Sequence, residues 1–319
     1  MKNFNYKKYI NKKIYVAGHR GLVGSAIIRR LKYFGFTNVI TVNRSKLNLL
    51  DKNQTYQFLK KNKPDIVIIS AAKVGGIKSN NEESAKFIYE NLEIQNNLIH
   101  SSYLNGIKNL IFLGSSCVFP KMCKQPIKEK YLLTGPLEKT NEAYAVAKIA
   151  GIKLCEFYNK QYGVNYLSIM PCNTYGPNDN YDLQTSHFFP SLIKKIFLAK
   201  KNSKKNIDIW GNGKSKREVI FVDDLANAII YFSFKKINKN ILNIGTEKEM
   251  TIEEYAKLIM KNLNINLKIN YVNKNLNGTP RKILDCSLAR RFGWKSSYSL
   301  EQGLKITISD FIKNFNKYK

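Results

Sequence analysis

The chain has 319 residues, 44% hydrophobic and 12% aromatic, with 53 Lys and Arg against 23 Asp and Glu and a formal charge of +30. That apolar content excludes a disordered chain, and the length suffices for one large domain with a smaller one beside it. No apolar run approaches the roughly 18 residues that a membrane span needs, and the basic start MKNFNYKKYINKK lacks the apolar stretch of a signal peptide. The five cysteines (Cys117, Cys123, Cys155, Cys172 and Cys286) are scattered and form no CxxC pair, so they read as reduced thiols in a cytoplasmic protein. The charge would suit a nucleic-acid binder. However, the lysines are spread along the chain with Asn and Ile instead of forming a stripe or tail. Compositional drift is therefore the preferred reading, with anionic small substrates as a partial cause, and neither nucleic acid nor membrane is the expected partner.

Residues 12–18 read as a strand, and 21–35 as a helix with apolar residues three and four apart, ended by Gly35. A second strand covers 38–43, a helix lies near 52–62, and a third strand covers 65–70. A long helix near 81–105 leads to a strand at 109–115, and a helix near 141–162 precedes a strand at 166–171. This alternation predicts an α/β fold with a doubly wound parallel sheet, its strand C-termini gathered on one edge. Beyond about residue 172 the pattern loosens at Pro177, Pro190 and the GNGK turn at 211–214, with helices near 186–201, 251–263 and 300–315. The expected division is a dinucleotide-binding domain over 1–172, completed by segments from about 215–246, and a smaller α/β substrate lobe over 173–319.

Gly18-His19-Arg20-Gly21-Leu22-Val23-Gly24 falls between the first strand and the first helix. Glycines there let a pyrophosphate approach backbone N–H groups and the helix N-terminus, although the spacing is GxxGxxG and not GxGxxG. An acidic residue at the end of the second strand would bind a ribose 2′-hydroxyl. This chain has Asn43-Arg44-Ser45-Lys46 instead, with Arg20 close by, so NADP is favoured over NAD. Arg44 as a solvated surface charge is the plain alternative. Asp51 has two readings of equal weight, an acceptor for the adenine amino group or a helix N-cap.

Tyr144 and Lys148 lie four apart, on one face of a helix. The ammonium is expected to favour phenolate and to lower the tyrosine pKa from about 10. Tyr144 then protonates a carbonyl oxygen during hydride delivery, with Ser115 hydrogen-bonded to that oxygen.

AGHRGLVGSAI, AAKVGGI, LGSSCVFPK, AYAVAKIAGIKLCE and GTPRK, taken together, resemble the GDP-L-fucose synthases, which are extended short-chain dehydrogenases/reductases with a Rossmann-like fold. The resemblance runs from roughly residue 13 to 315. It implies reduction of the C4 ketone of a GDP-4-keto-6-deoxy sugar by NADPH, after epimerisation at C3 and C5. It also implies Cys117 as base, His187 as acid, and Ser115 with Tyr144 holding the enolate oxygen. Ala71, Ala72, Pro171, Asn173 and His187 would touch the cofactor. Asn173, Lys195, Trp210, Arg217 and Lys282 would touch the GDP-sugar. Lys195 stands where the family has arginine, which keeps the charge and loses the bidentate fork; Phe119 stands where a tyrosine is common. Trp210 reads more readily as core than as a guanine contact, and His100 as helix surface. A homodimer through a four-helix bundle of the helices near 81–105 and 141–162 is also implied.

Three rivals remain. Some relatives reduce a GDP-4-keto-heptose without epimerising it and keep both acid/base residues. A 4,6-dehydratase wants carboxylates where this chain has Ser116-Cys117-Val118-Phe119. A basic nucleic-acid-binding protein on the same fold would bind with steep salt dependence and tolerate Tyr144→Phe.

Overall fold

The computed structural model describes residues 4–272 and 279–318; Met1, Lys2 and Asn3 of the basic start and Gly278 of the GTPRK stretch lie outside them. β1 (Ile14–Ala17) enters α1 (Leu22–Tyr33) through the glycine turn. β2 (Val39–Ile40) pairs on one side of β1, and α2 (Lys52–Asn62) leads to β3 (Ile66–Ile69) on the other. The helix expected near 81–105 is two, α3 (Ile77–Glu82) and α4 (Ser84–Leu104). They part at Glu83, which leaves helical geometry (φ −113°, ψ 31°) and holds Lys73 of the preceding loop at 2.9 Å. β4 (Asn109–Leu113), α5 (Glu142–Tyr162) and β5 (Asn165–Pro171) follow.

The second half holds more structure than its loose pattern suggests: β6 (Asn173–Tyr175), α6 (Phe188–Lys201), β7 (Asn206–Trp210), β8 (Lys216–Phe221), α7 (Val222–Phe234) and β9 (Ile241–Ile244). Then come β10 (Glu249–Thr251), α8 (Ile252–Asn262), β11 (Lys268–Val272), β12 (Arg281–Lys282), α9 (Ser287–Arg291) and α10 (Leu300–Lys313). The α7 sequence VDDLANAIIYFSF shows no amphipathic period because nearly all of it is buried. It is fixed to α1 by Arg29 on Asp223 and by Arg30 Nε on Asn227 Oδ1 at 2.7 Å. Among the described residues no helix is long and apolar enough to cross a membrane.

The main sheet is parallel, in the order β2-β1-β3-β4-β5-β9. β1 and β3 are covered on both faces and wholly buried, which explains their unbroken IYVA and IVII runs. The chain winds outward in both directions from the β1/β3 boundary, so the crevice beyond their C-termini is the topological switch point where such sheets bind ligands. A second sheet joins β10, β8 and β12, with β6 also on β8, and β7 pairs with β11. The register of β12 on β8 sets Lys282 opposite Arg217.

One buried carboxyl makes this fold sensitive to alkali. Asp179 is 7% exposed; one of its oxygens accepts from Asn180 N at 2.7 Å and the other has no partner among the described residues. Burial lifts its pKa to about 8 from 3.8. Between those two values the native state holds a proton that the unfolded chain has lost, so stability falls as pH rises through this window. Thermal melts of wild type at pH 6 and pH 9 should show a lower Tm at pH 9. Asp179→Asn should narrow that gap, at about 2–4 °C per kcal/mol recovered. An equal gap in the variant would assign the alkaline loss elsewhere.

Candidate active site

The glycine turn is built by close approach. Gly18 has φ +83°, and a Cβ on it would lie 2.6 Å from Ala71 N at the end of β3. A Cβ on Gly24 would lie 2.1 Å from Gly18 O. Gly21 meets only Gly18 O, at 3.6 Å, so its outer face is open. It stands at the N-terminus of α1, where no side chain caps the first N–H groups. Open backbone, unclaimed donors and a positive helix end suit a dinucleotide pyrophosphate. Leu22 and Val23 open the helix, half-buried, while Arg20 and Arg44 are exposed and Asn43 is half-buried. Asp51 is the N-cap of α2, its two oxygens accepting from Gln54 N and Gln54 Nε2, each at 2.9 Å. Of its two sequence readings, capping is the one this geometry fills.

The candidate catalytic side chains gather where β4 ends. Ser115 is extended (φ −161°, ψ 149°), and its Oγ accepts from Cys117 N at 3.2 Å. The same hydroxyl lies near enough to the Tyr144 phenol to favour its ionised form. Lys148, one helical turn below Tyr144, is 3% exposed, donates to Leu113 O at 2.8 Å and has its Nζ 5.9 Å from the centre of the Tyr144 ring.

Burial therefore reverses the expected effect of this lysine. Desolvation pushes Lys148 down to about 7. It pushes Tyr144 above its ordinary value, assisted by Cys117 and opposed by Ser115. The lysine points at a backbone carbonyl and not at the phenol oxygen, so its charge does not offset the desolvation. Tyr144 stands as a neutral phenol, the form that donates a proton.

Cys117 behaves oppositely. Burial raises its pKa, yet Lys282, the Ser115 hydroxyl and Arg217 together carry it below the ordinary thiol value. Lys282 Nζ lies 3.5 Å from Cys117 Sγ, and Asn141 Nδ2 donates to the same sulfur at 3.3 Å. His187 precedes α6, is exposed, and lies within reach of the Lys282 charge. Surrounding protein and then Lys282 hold its pKa below the ordinary value, an effect that the solvent reaching its ring weakens. The loop bearing it is braced by Gly76, whose N–H donates to Thr185 O at 2.7 Å and whose Cβ, if present, would lie 2.8 Å from Ser186 O.

Other sequence-selected residues stand further out. Ala71 and Ala72 follow β3, Pro171 closes β5, and Asn173 opens β6 with its Nδ2 on Glu218 O at 3.0 Å. Lys195 donates to Asp208 O at 3.0 Å and lies 5.6 Å over the Trp210 ring. Trp210 is 49% exposed, which corrects its reading as core: it falls on the outward face of β7, whose side chains alternate between exposed and buried, with its ring beside the Lys195 ammonium. His100 is half-buried, bonding Tyr158 through Nδ1 at 2.6 Å.

Two residues escaped the sequence reading. Asn141 had a signal, an amide just before the helix that carries Tyr144. Glu218 had none. Its buried carboxylate accepts from Thr246 N and Glu247 N, both at 2.6 Å, and from Leu284 N at 2.8 Å. It thereby ties the strand of Arg217 to the segment of Lys282.

A glycine turn at the switch point, facing a serine, a phenol and a lysine at the end of β4, defines an extended short-chain dehydrogenase/reductase. Residues 14–245 match the profile of the NAD dependent epimerase/dehydratase family, and the chain belongs to that family. Among curated relatives, GDP-L-fucose synthase 1 of Arabidopsis thaliana is 46% identical over 95% of this chain and 94% of its own. GDP-L-fucose synthase of Escherichia coli is 42% identical over 96% of this chain and 98% of its own. Among solved structures, GDP-mannoheptose C4 reductase from Campylobacter jejuni with NADP bound superposes with a TM-score of 0.84, at 34% identity, covering 95% of this chain and 99% of that one.

Proposed function

We propose that this chain reduces the C4 ketone of a GDP-4-keto-6-deoxy sugar with NADPH, after inverting C3 and C5, as a GDP-L-fucose synthase does. The single observation that carries the reading is the thiol of Cys117, held by Lys282 and Asn141 beside the Ser115–Tyr144 pair. A C–H next to a ketone is acidic because the carbanion delocalises onto oxygen. A base beside an oxyanion site is what its removal requires. Cys117 takes the proton, Ser115 and Tyr144 hold the enolate oxygen, and His187 returns a proton to the opposite face. Tyr144 then protonates the C4 oxygen as hydride arrives at C4; hydride is the chemistry that bound NADPH supplies. Gly18, Gly21, Leu22, Val23 and Gly24 cradle the cofactor, with Ala71, Ala72, Pro171 and Asn173 along it. Asn43, Arg20 and Arg44 take the ribose and its 2′-phosphate, and no carboxylate stands at the end of β2 to repel one. Arg217, Lys282, Lys195 and Asn173 hold the sugar nucleotide, and the exposed Trp210 ring stacks on the guanine.

Turnover of GDP-4-keto-6-deoxy-mannose with NADPH in heavy water tests this. Product carrying deuterium at C3 and C5 supports it, and reduced product without deuterium overturns the epimerase half. That second outcome is the one a reductase acting on a GDP-4-keto-heptose gives. The heptose reading rests on Lys195 in place of arginine and on the likeness to the heptose reductase.

The cytoplasm is the compartment we assign, supported by cysteines that are all free in the structure. A homodimer is the assembly we assign, supported by Tyr89, Leu104, Val146, Phe157 and Tyr162, which α4 and α5 expose. Light scattering should report a dimer, and Phe157→Glu should shift it to monomer; a monomeric wild type would refute the assignment.

A further inference from the structure

Family resemblance gives Lys282 to the substrate diphosphate, and its position in the fold gives it a nearer task. Lys282 enters the site from β12, which shares no sheet with β4, and its ammonium stops 3.5 Å from Cys117 Sγ. It is held there from behind. The register of β12 on β8 fixes it opposite Arg217, and two residues on, Leu284 N donates to the buried Glu218 at 2.8 Å. Asn141 Nδ2 donates to the same sulfur at 3.3 Å, and Ser115 fixes the Cys117 backbone at 3.2 Å. Asn141 Nδ2 and the ammonium both approach Sγ as donors, and a thiolate receives both better than a thiol does. A Coulomb partner at this range favours the charged form, typically by one to three pKa units, roughly ten- to a thousand-fold in thiolate fraction.

We infer that Lys282 is a positioning residue that keeps Cys117 as thiolate, so that the base of the epimerisation is formed before substrate arrives. The inference rests on the base role proposed for Cys117. Its subject is the sulfur itself, which can be titrated without any sugar. The charged and titratable groups facing Cys117 are Lys282 from β12, Arg217 from β8 and Tyr144 from α5. His187, ahead of α6, and Glu138, beside Arg217, act on those cations and complete the set. Arg217 adds to the effect, so loss of Lys282 alone weakens it without abolishing it. Proton bookkeeping is simple. The thiolate takes one proton from the sugar carbon and becomes a thiol beside Lys282, and that proton must leave before the next abstraction.

Iodoacetamide alkylation of Cys117, followed peptide by peptide by mass spectrometry from pH 5 to 10, reads the thiolate directly and separates it from the other four cysteines. In wild type the midpoint should lie below that of an ordinary thiol, about 8.5. In Lys282→Gln it should rise by about one unit, lowering the alkylation rate at pH 7 by about tenfold. Lys282→Arg should restore most of the shift. NADPH binding at the distant glycine turn reports that each variant is folded. An unmoved midpoint in a folded Lys282→Gln overturns the inference. So does a wild-type midpoint at or above the ordinary value, which needs no variant. Failure of the proposed function looks different: a low midpoint that answers to Lys282, in a chain that exchanges no deuterium into a GDP-keto sugar.

Discussion

Tyr144→Phe should lower kcat for ketone reduction by about a hundred- to ten-thousand-fold, the usual worth of a positioned proton donor, while leaving NADPH binding intact. The phenol lies beside Ser115 and stands one turn above Lys148, so the deletion removes one oxygen and leaves the packing of α5 in place. Because burial keeps Tyr144 protonated, the variant loses the acid itself and not a charged phenolate. The deficit should persist across the pH range in which wild type is active and should not be rescued by raising pH. Stopped-flow measurement of NADPH oxidation, with the keto sugar saturating, separates this loss from a change in substrate affinity. Deuterium exchange should also slow, since the same hydroxyl supports the enolate. Near-normal reduction by the phenylalanine variant would remove Tyr144 from the chemistry, and steep salt-dependent DNA affinity would then revive the nucleic-acid reading.

The second large effect is structural. Glu218→Ala should cost on the order of 3–9 kcal/mol, because three backbone N–H groups (Thr246, Glu247 and Leu284) lose a buried acceptor worth about 1–3 kcal/mol each. That is a large part of the about 5–15 kcal/mol that holds a typical domain. Gly245 shows how tightly the carboxylate is enclosed, since a Cβ there would fall 2.2 Å from Glu218 Oε1. Glu218→Gln should lose less: it keeps an acceptor for two of the donors and turns an amide toward the third. Burial holds Glu218 near 7, above its ordinary 4.5, although the N–H groups pull it down. The sign follows as for Asp179. The folded state keeps a proton that the unfolded chain gives up, so stability declines as pH rises from about 4.5 through 7. Urea denaturation of wild type and Glu218→Gln at pH 5 and pH 8 should show the wild type losing more over that interval. A glutamine variant with the same pH slope as wild type would clear Glu218 of that role.

Much of this protein is written in local spacing. A strand, a glycine turn and a helix within about 25 residues announce the nucleotide end, because each requirement there is met by neighbours in the chain. The four-residue step from Tyr144 to Lys148 fixes a shared helix face wherever the helix lies. Ser115 is legible for the same reason, just past a strand end, whereas Cys117 was singled out through the family resemblance. The sequence therefore determined the sheet, the crevice at its switch point and the candidate side chains that gather at the end of β4.

Tertiary structure decided how those groups behave, since desolvation and distant charge depend on which remote segments are stacked together. Lys148 was expected to drive Tyr144 toward phenolate, and burial of both side chains prevents it. The family resemblance pointed to Cys117, but only folding brought Lys282 of β12 onto its sulfur from 165 positions away. Trp210, apolar by type, is exposed because it falls on the outward face of β7, alternating with the buried Ile207 and Ile209, and α7 is buried along nearly its whole length. Charge and burial act through space, and the distances that set them exist only once the chain has folded.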